Sequence, residues 1–383
     1  MRNKLKTTFR NHAGFGRLGI IIAIIVIVAA LAVYFMLREG KEEPIKIGGI
    51  LMLSRTASDW GLNSQKGADL AIEQINAEGG INNRRLEIVY EDNQGDDARA
   101  AVSAFFKLLK EDIKIILGSN WSPSGLALAP LACDKKVLMI SPSLGVAGFN
   151  EECDYLFNVW PHDSLLSQEL AKLVYHQGHR NIALLGSQQT WEQEQAFIIK
   201  ETFENLGGEV VSFQLPSKEE REFSNEVQNI KQIDPEAVVL TLGTASIGLA
   251  AKNLYKAGVR VPLYAVLITD QSIQDAQGSL EGAVVITSFT PNREFADLFV
   301  SKYGEQPDIG SDTSYDAIKL IAQAIEETGS TDPTVVKDYI NSLEKYEGVS
   351  GSLIFDGKGG VTKPFKFTVV KANKIANYEV ERK

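Results

Sequence analysis

The chain has 383 residues, 44% of them hydrophobic and 23% charged, which allows two or three domains with ample core and implies no disordered tract. Its formal net charge is −10, and the first 17 residues carry Arg2, Lys4, Lys6, Arg10 and Arg17 without an acid, so the remainder is more acidic still. A body of that charge excludes nucleic acid as partner, because such binding rests on neutralising phosphate.

Ile20 to Leu37 is an unbroken apolar run of 18 residues, just long enough to cross a bilayer as a helix. The basic segment before it stays in the cytoplasm, so the body is expected outside. Ala30-Leu31-Ala32 offers a signal-peptidase site, and a cleaved signal peptide is the rival reading. The run continues past that site, which favours an uncleaved anchor at 18–37. Residues 38–44 then form a linker. No cysteine near the end of the run suggests a lipid-linked N-terminus.

From Ile45 the chain alternates strand and helix. Ile45–Leu53 reads as a strand, and a polar loop runs from Ser54 to Gly61. The helix that follows repeats Ala68, Ala71, Ile72 and Ile75 at i, i+3, i+4 and i+7, giving one buried face. Gly79-Gly80 ends it, and Leu86–Asp92 is the next strand. Strands are expected at Lys114–Ser119 and Val137–Pro142, with helices near Asp96–Glu111 and Ser122–Asp134. A second series places strands at Asn181–Ser187, Glu209–Leu215, Ala237–Gly243 and Leu263–Leu267. Its helices fall near His162–Gln177, Thr190–Leu206, Glu222–Gln232 and Ser246–Ala257. Short apolar strands such as Ile182-Ala183-Leu184-Leu185 suit sheets covered on both faces. Two such series predict an α/β fold of two doubly wound parallel-sheet lobes. Beyond them come a strand at Ala283–Phe289 and helices at Phe295–Tyr303, Thr313–Thr328 and Pro333–Leu343. Asp356-Gly357 signals a hairpin between Leu353-Ile354-Phe355 and Phe365–Val370.

Two cysteines occur, Cys133 and Cys153. Export makes a disulfide between them reasonable, with two buried thiols as the other reading. Closing that loop contributes on the order of 3 kcal/mol in the chain-entropy picture. No metal site is expected, since neither paired Cys-x-x-Cys nor His-Glu-x-x-His occurs. His162, His176 and His179 read as surface residues.

In open parallel sheets, ligands sit beyond the carboxyl ends of the strands. The loops there hold hydroxyls and aromatics with few charges. They contain Trp60, Trp121, Ser122, Ser143, Gly145, Trp191, Thr244 and Asp270. Hydroxyls with helix-start N–H groups suit a polar head group, and tryptophans suit the flat or apolar part of a small molecule. Each has a blander reading: Ser122 as a helix cap, the tryptophans as lobe-edge packing, Asp270 as a solvated turn residue. Enzyme signatures are missing from these loops. No glycine-rich phosphate loop follows the first strand, and Asn120-Trp121-Ser122 lacks the glycine of a nucleophile elbow.

The order of residues resembles the type I periplasmic solute-binding proteins, in the branch of leucine/isoleucine/valine and related receptors of ABC importers. The segments that carry it are Gly67-Ala68-Asp69-Leu70-Ala71-Ile72, Asn76-Ala77-Glu78-Gly79-Gly80-Ile81, Glu91-Asp92, Met139-Ile140-Ser141-Pro142-Ser143 and Ser314-Tyr315-Asp316-Ala317. The resemblance implies a three-segment hinge, lobe one at 45–160 plus 288–350 and lobe two at 161–287 plus 351–383. It also implies no cofactor and an ABC permease as membrane partner. Ser122 and the backbone around Ser143 and Gly145 would hold the ligand's polar head, and Trp60 would cover it. Trp191, Thr244 and Asp270 would close from lobe two, with Asp270 able to pair an ammonium. Gly145 and Thr244 depart from the hydroxyl and the aromatic that amino-acid-binding relatives often place there. An amino acid, an amide or a urea-like solute therefore stay open. A sensory ectodomain of the same fold is the alternative to a transport receptor.

Overall fold

The computed structural model describes residues 22, 24–29, 43–55, 58–95, 97–217 and 222–379. The expected basic segment 1–17 lies outside them, as does most of the expected anchor and linker. Ile22 and residues 24–29 are helical and exposed. Among the described residues no helix is long and apolar enough to cross a membrane.

The first lobe is built on strands β1 (Ile45–Leu51), β2 (Leu86–Asp92), β3 (Ile115–Gly118), β4 (Leu138–Ser141) and β5 (Leu156–Asn158). They form a parallel sheet in the order β2-β1-β3-β4-β5. Helices α1 (Ser58–Ala77), α2 (Ala98–Lys110) and α3 (Ser122–Lys135) connect them. The second lobe repeats the plan with β6 (Asn181–Leu185), β7 (Glu209–Gln214), β8 (Ala237–Leu240), β9 (Leu263–Ala265) and β10 (Val284–Thr287). Its helices are α4 (Asp163–His176), α5 (Thr190–Asn205), α6 (Ser224–Ile233), α7 (Thr244–Ala257) and α8 (Asp270–Ala276). The run β7-β6-β8-β9-β10 has the same winding as the first sheet, so each lobe reverses strand order at one point. Those points lie between β1 and β3 and between β6 and β8, where such folds place ligands.

The motif residues that end α1 have a local physical job. Gly79 and Gly80 take φ of 110° and 79°, and Gly80 N–H donates to Ile75 O at 2.9 Å. The Asn76 side chain then accepts from Leu86 N at 2.8 Å and donates to Leu86 O at 2.9 Å, fixing the start of β2. Asp92, at the end of β2, ties the loop beyond β1 by accepting from Leu53 N at 3.0 Å and Ser54 Oγ at 2.5 Å. Further along the chain come α9 (Arg293–Tyr303), α10 (Ser311–Thr328) and α11 (Pro333–Asn341). α10 lies so close to α1 that a side-chain carbon on Gly67 would fall 1.9 Å from Ser311 O.

The end of the chain differs from the sequence expectation. β11 (Lys345–Gly348), β12 (Gly351–Phe355) and β13 (Val361–Thr362) form a separate antiparallel sheet. The Asp356-Gly357 turn thus joins β12 to β13, not to the later strand. β14 (Lys366–Lys371) instead pairs antiparallel with β10 and turns through Ala372-Asn373 into β15 (Lys374–Asn377). Leu353 and Val361 bury themselves with Ile45, Phe295 and Ile318 in the core of lobe one. Core contacts therefore put the last passage between lobes after Thr362, where the sequence reading set it at 351. Apolar alternation marks both late hairpins equally, and only packing decides which core each joins.

Three segments cross between the lobes: 159–162, 288–292 and 363–365. The outer two meet. Lys363 is buried with its Nζ 5.4 Å from the Trp160 ring centroid and 4.0 Å from Asp312 Oδ2. Burial pushes this lysine's pKa down, while Asp312 pulls the other way. The largest apolar cluster runs through both lobes from Ile50 and Phe105 to Leu184 and Phe203. Cys133, near the end of α3, is joined by a disulfide to Cys153, with a Cα–Cα distance of 5.9 Å. Two histidines are less exposed than expected. His162 Nε2 lies 3.1 Å from Asn150 Oδ1 and His179 Nε2 lies 3.1 Å from Tyr264 OH; His176 is exposed.

Candidate functional site

Between the two lobes, at the facing strand ends, lies a cleft of about 940 Å³. Trp60, Trp121, Ser122, Ser143, Gly145, Trp191, Thr244 and Asp270 all line it. The reason is topological. Each follows a β-strand of a sheet whose carboxyl edge faces the other lobe, or sits in the first turn of the helix beyond it.

α3 and α7 occupy equivalent places in the two lobes, each opening at its lobe's switch point. The residue before α3 is Trp121, with φ −136° and ψ 157°, so Ser122 is the first helical residue and not the cap. Neither α3 nor α7 has a side-chain cap bond at its start. Backbone N–H groups of the first turn and the positive end of the helix dipole thus face the cleft from both sides. Gly243, before α7, donates its N–H to Glu192 Oε1 at 2.8 Å.

The loops of lobe one are braced from behind. Asn120 accepts from Met52 N at 3.3 Å and donates to Ser64 Oγ at 2.8 Å. Ser143 turns its hydroxyl back to Asn120 O at 3.0 Å, so it faces scaffold and contributes to the wall through its surroundings. Ser141 Oγ accepts from Leu144 N at 3.0 Å and donates to Ser119 O at 2.6 Å. Trp60 and Trp121 stack at 5.4 Å between ring centroids, inclined by 31°.

Three groups escaped the sequence reading. Trp160, in the first crossing segment, donates its indole N–H to Asp163 Oδ1 at 2.9 Å, and Trp191 donates to Asp163 Oδ2 at 2.7 Å. Asp163 N–H in turn donates to Gly145 O at 2.8 Å. Burial raises the Asp163 carboxyl to about 6, with the two indole bonds pulling down. Asp308, just before α10, also rises to about 6, mainly by burial, with Asp270 and Asp59 nearby adding to it. An aspartate opening a helix ordinarily only complements the dipole, so Asp163 gave no signal. Trp160 could be found only by knowing where the crossings fall, and Asp308 only by knowing that the start of α10 packs against α1.

Altogether six carboxylates and two lysines line the cleft. Lys66 pairs with Glu305. Among the described residues no group of histidine, cysteine or carboxylate side chains is placed to hold a metal ion.

Two lobes of one winding, hinged by three crossings around a cleft at both switch points, define a type I bilobed binding fold. The chain belongs to the family described as Periplasmic binding protein, which matches residues 44–374. It is 27% identical over 363 residues to a leucine-, isoleucine-, valine-, threonine- and alanine-binding protein of Pseudomonas aeruginosa, covering 91% of this chain and 94% of that protein. A leucine-binding protein structure from Thermotoga maritima superposes with a TM-score of 0.82 at 22% identity, covering 88% of this chain and 98% of the other. A branched-chain amino acid binding protein from Streptococcus pneumoniae, in complex with isoleucine, gives 0.80 at 24% identity, covering 87% and 97%. A Rhodopseudomonas palustris solute-binding protein in complex with 4-hydroxybenzoate gives 0.80 at 22%, covering 89% and 96%.

Proposed function

We propose that the chain is an extracytoplasmic receptor that binds a small polar solute in the cleft by lobe closure and delivers it to an ABC permease. The observation that carries this reading is the facing of the two switch points, with the uncapped starts of α3 and α7 opposed across about 940 Å³. The amino-acid-binding relatives support the solute class. In this reading Ser122 and the first turn of α3 hold the polar head, Trp60 and Trp121 cover the body, and Trp191, Thr244 and Asp270 close from lobe two. The basic N-terminus and the Ile20–Leu37 run would keep the receptor on the membrane with its cleft outside.

The test is a thermal-shift screen of the purified protein with amino acids, amides and ureas. A ligand at a hundred times its Kd stabilises by about 2.7 kcal/mol, which a melting curve resolves readily. If no small solute moves the melting temperature and tryptophan emission is also unresponsive, solute binding in this cleft is wrong. Co-purification with a sensor kinase in place of a permease would redirect the reading from transport to signalling.

A further inference from the structure

The chain has four tryptophans, and all four, Trp60, Trp121, Trp160 and Trp191, line the one cleft. They come from separate places: two from strand-end loops of lobe one, one from a crossing and one from lobe two. An apolar pocket needs no such concentration, since leucine or phenylalanine fills space as well. Tryptophan adds the strongest negative π face among the side chains, which attracts cations. Trp160 and Trp191 give their N–H groups to Asp163, so their rings are fixed in orientation.

The charged lining has the complementary sign. Asp308 of lobe one lies within electrostatic reach of Asp59 in its own lobe and of Asp270 in lobe two, and all three line the cleft. Asp163 adds a carboxylate beside the Trp160–Trp191 pair. The lysines do not balance this group, because Lys66 is engaged with Glu305, which leaves Lys366 against the lining Asp59, Asp163, Asp270, Asp275 and Asp308. Closing the lobes over like charges is unfavourable unless the ligand brings the opposite charge. Trp60 is nine-tenths buried, and its Nε1 has no hydrogen-bond partner.

We propose that the cleft takes a small organic cation of net positive charge, an amine or quaternary ammonium on an apolar body. The cleft-lining tryptophans pack against the substituted nitrogen and its apolar body, Asp270 and Asp308 supply the counter-charge, and the first turn of α3 meets a hydroxyl or carbonyl oxygen of the ligand. This rests on the reading of the cleft as a solute site. It differs from a zwitterionic amino acid in its net positive charge, which answers the excess of carboxylates in the lining.

The experiment is calorimetric titration of the purified full chain with choline and benzyltrimethylammonium. The controls are 3,3-dimethylbutan-1-ol, which has the shape of choline without its charge, together with leucine and benzoate. The expected result is that at least one cation binds about tenfold or more tighter than every control. Asp270→Asn then weakens the cation about tenfold, and the preference for choline over 3,3-dimethylbutan-1-ol falls with it. Trp121→Leu weakens it similarly, while Trp121→Phe keeps most of the affinity, with melting curves verifying that each variant is folded. Tighter binding of leucine, benzoate or the neutral alcohol overturns the cation inference and leaves the solute site standing. Binding of none of the five overturns the cation inference, and the solute site is then decided by the thermal-shift screen.

Discussion

The carboxylate of Asp163 lies so close to Gly145 that a side-chain carbon built on the glycine would fall 1.8 Å from Asp163 Oδ2. Relatives that bind amino acids often carry a hydroxyl residue at this place in the loop, and here the acid leaves no room for one. Gly145→Ser should therefore destabilise the protein and weaken solute binding. Removing the obstructing carboxylate with Asp163→Ala should restore part of the loss. A double-mutant cycle by urea unfolding checks this, and additive effects would mean that the two residues do not compete for space.

Asp163 also accepts two indole bonds through its two oxygens. In Asp163→Asn one oxygen is replaced by an NH₂ group that meets a tryptophan N–H donor to donor. The expected cost is about 1–3 kcal/mol, together with a shift in tryptophan emission, because one buried donor loses its partner. Unchanged emission and stability would place the bonds at no consequence.

Three buried aspartates contribute to the pH dependence of folding with a definite sign. Asp163, Asp308 and Asp316 each rise to about 6, mainly by burial. Between their ordinary range near 4 and about 6, the folded chain holds protons that the unfolded chain has lost. Their contribution is thus fully present below about 4 and lost as pH rises through 6. Asp308→Asn should remove its share, so that the variant's melting temperature falls less, or rises more, from pH 4 to pH 7 than the parent's. An equally steep curve in the variant would remove Asp308 from the account.

Cys133 and Cys153 are not among the residues lining the cleft. Reduction should lower unfolding free energy by on the order of 3 kcal/mol and leave ligand affinity unchanged. Chemical denaturation and titration with and without reductant test both halves of that statement. A large loss of affinity would show that the bond positions the site.

Ser122→Ala and Asp270→Ala should each weaken binding of the solute found by screening by more than tenfold, with melting curves of the ligand-free variants near the parent. Affinity unchanged in both would move the pocket elsewhere.

Much of this architecture was legible beforehand because it rests on short-range signals. The 3.6-residue repeat at Ala68, Ala71, Ile72 and Ile75 and the Gly79-Gly80 stop define α1 almost to its ends. The apolar quartets at Ile182–Leu185 and Ala237–Leu240 define two strands. Strand ends then locate the loops, and all eight residues chosen from them line one cleft. What escaped depends on long-range placement. β14 carries the same alternation as β12 yet joins the opposite lobe. β5, only three residues long, has no periodicity to detect. Asp163 and Asp308 owe their raised proton affinity to neighbours far away in sequence, and Lys363 beneath Trp160 looks like any surface lysine until the crossings are traced.

The close approach of α1 to α10 at Gly67 has a kinetic consequence. Trp60 stands in the first turn of α1 and Asp308 just before α10, and Gly310 touches Ser64 as Gly67 touches Ser311. With the two backbones in contact along this seam, both residues belong to one rigid plate that exists before any solute arrives. In the proposed receptor, lobe one therefore offers an assembled landing surface at no ordering cost, on which a solute would dock first. With lobe two closing afterwards, as proposed above, the second half of the pocket would govern how long the solute stays more than how fast it comes.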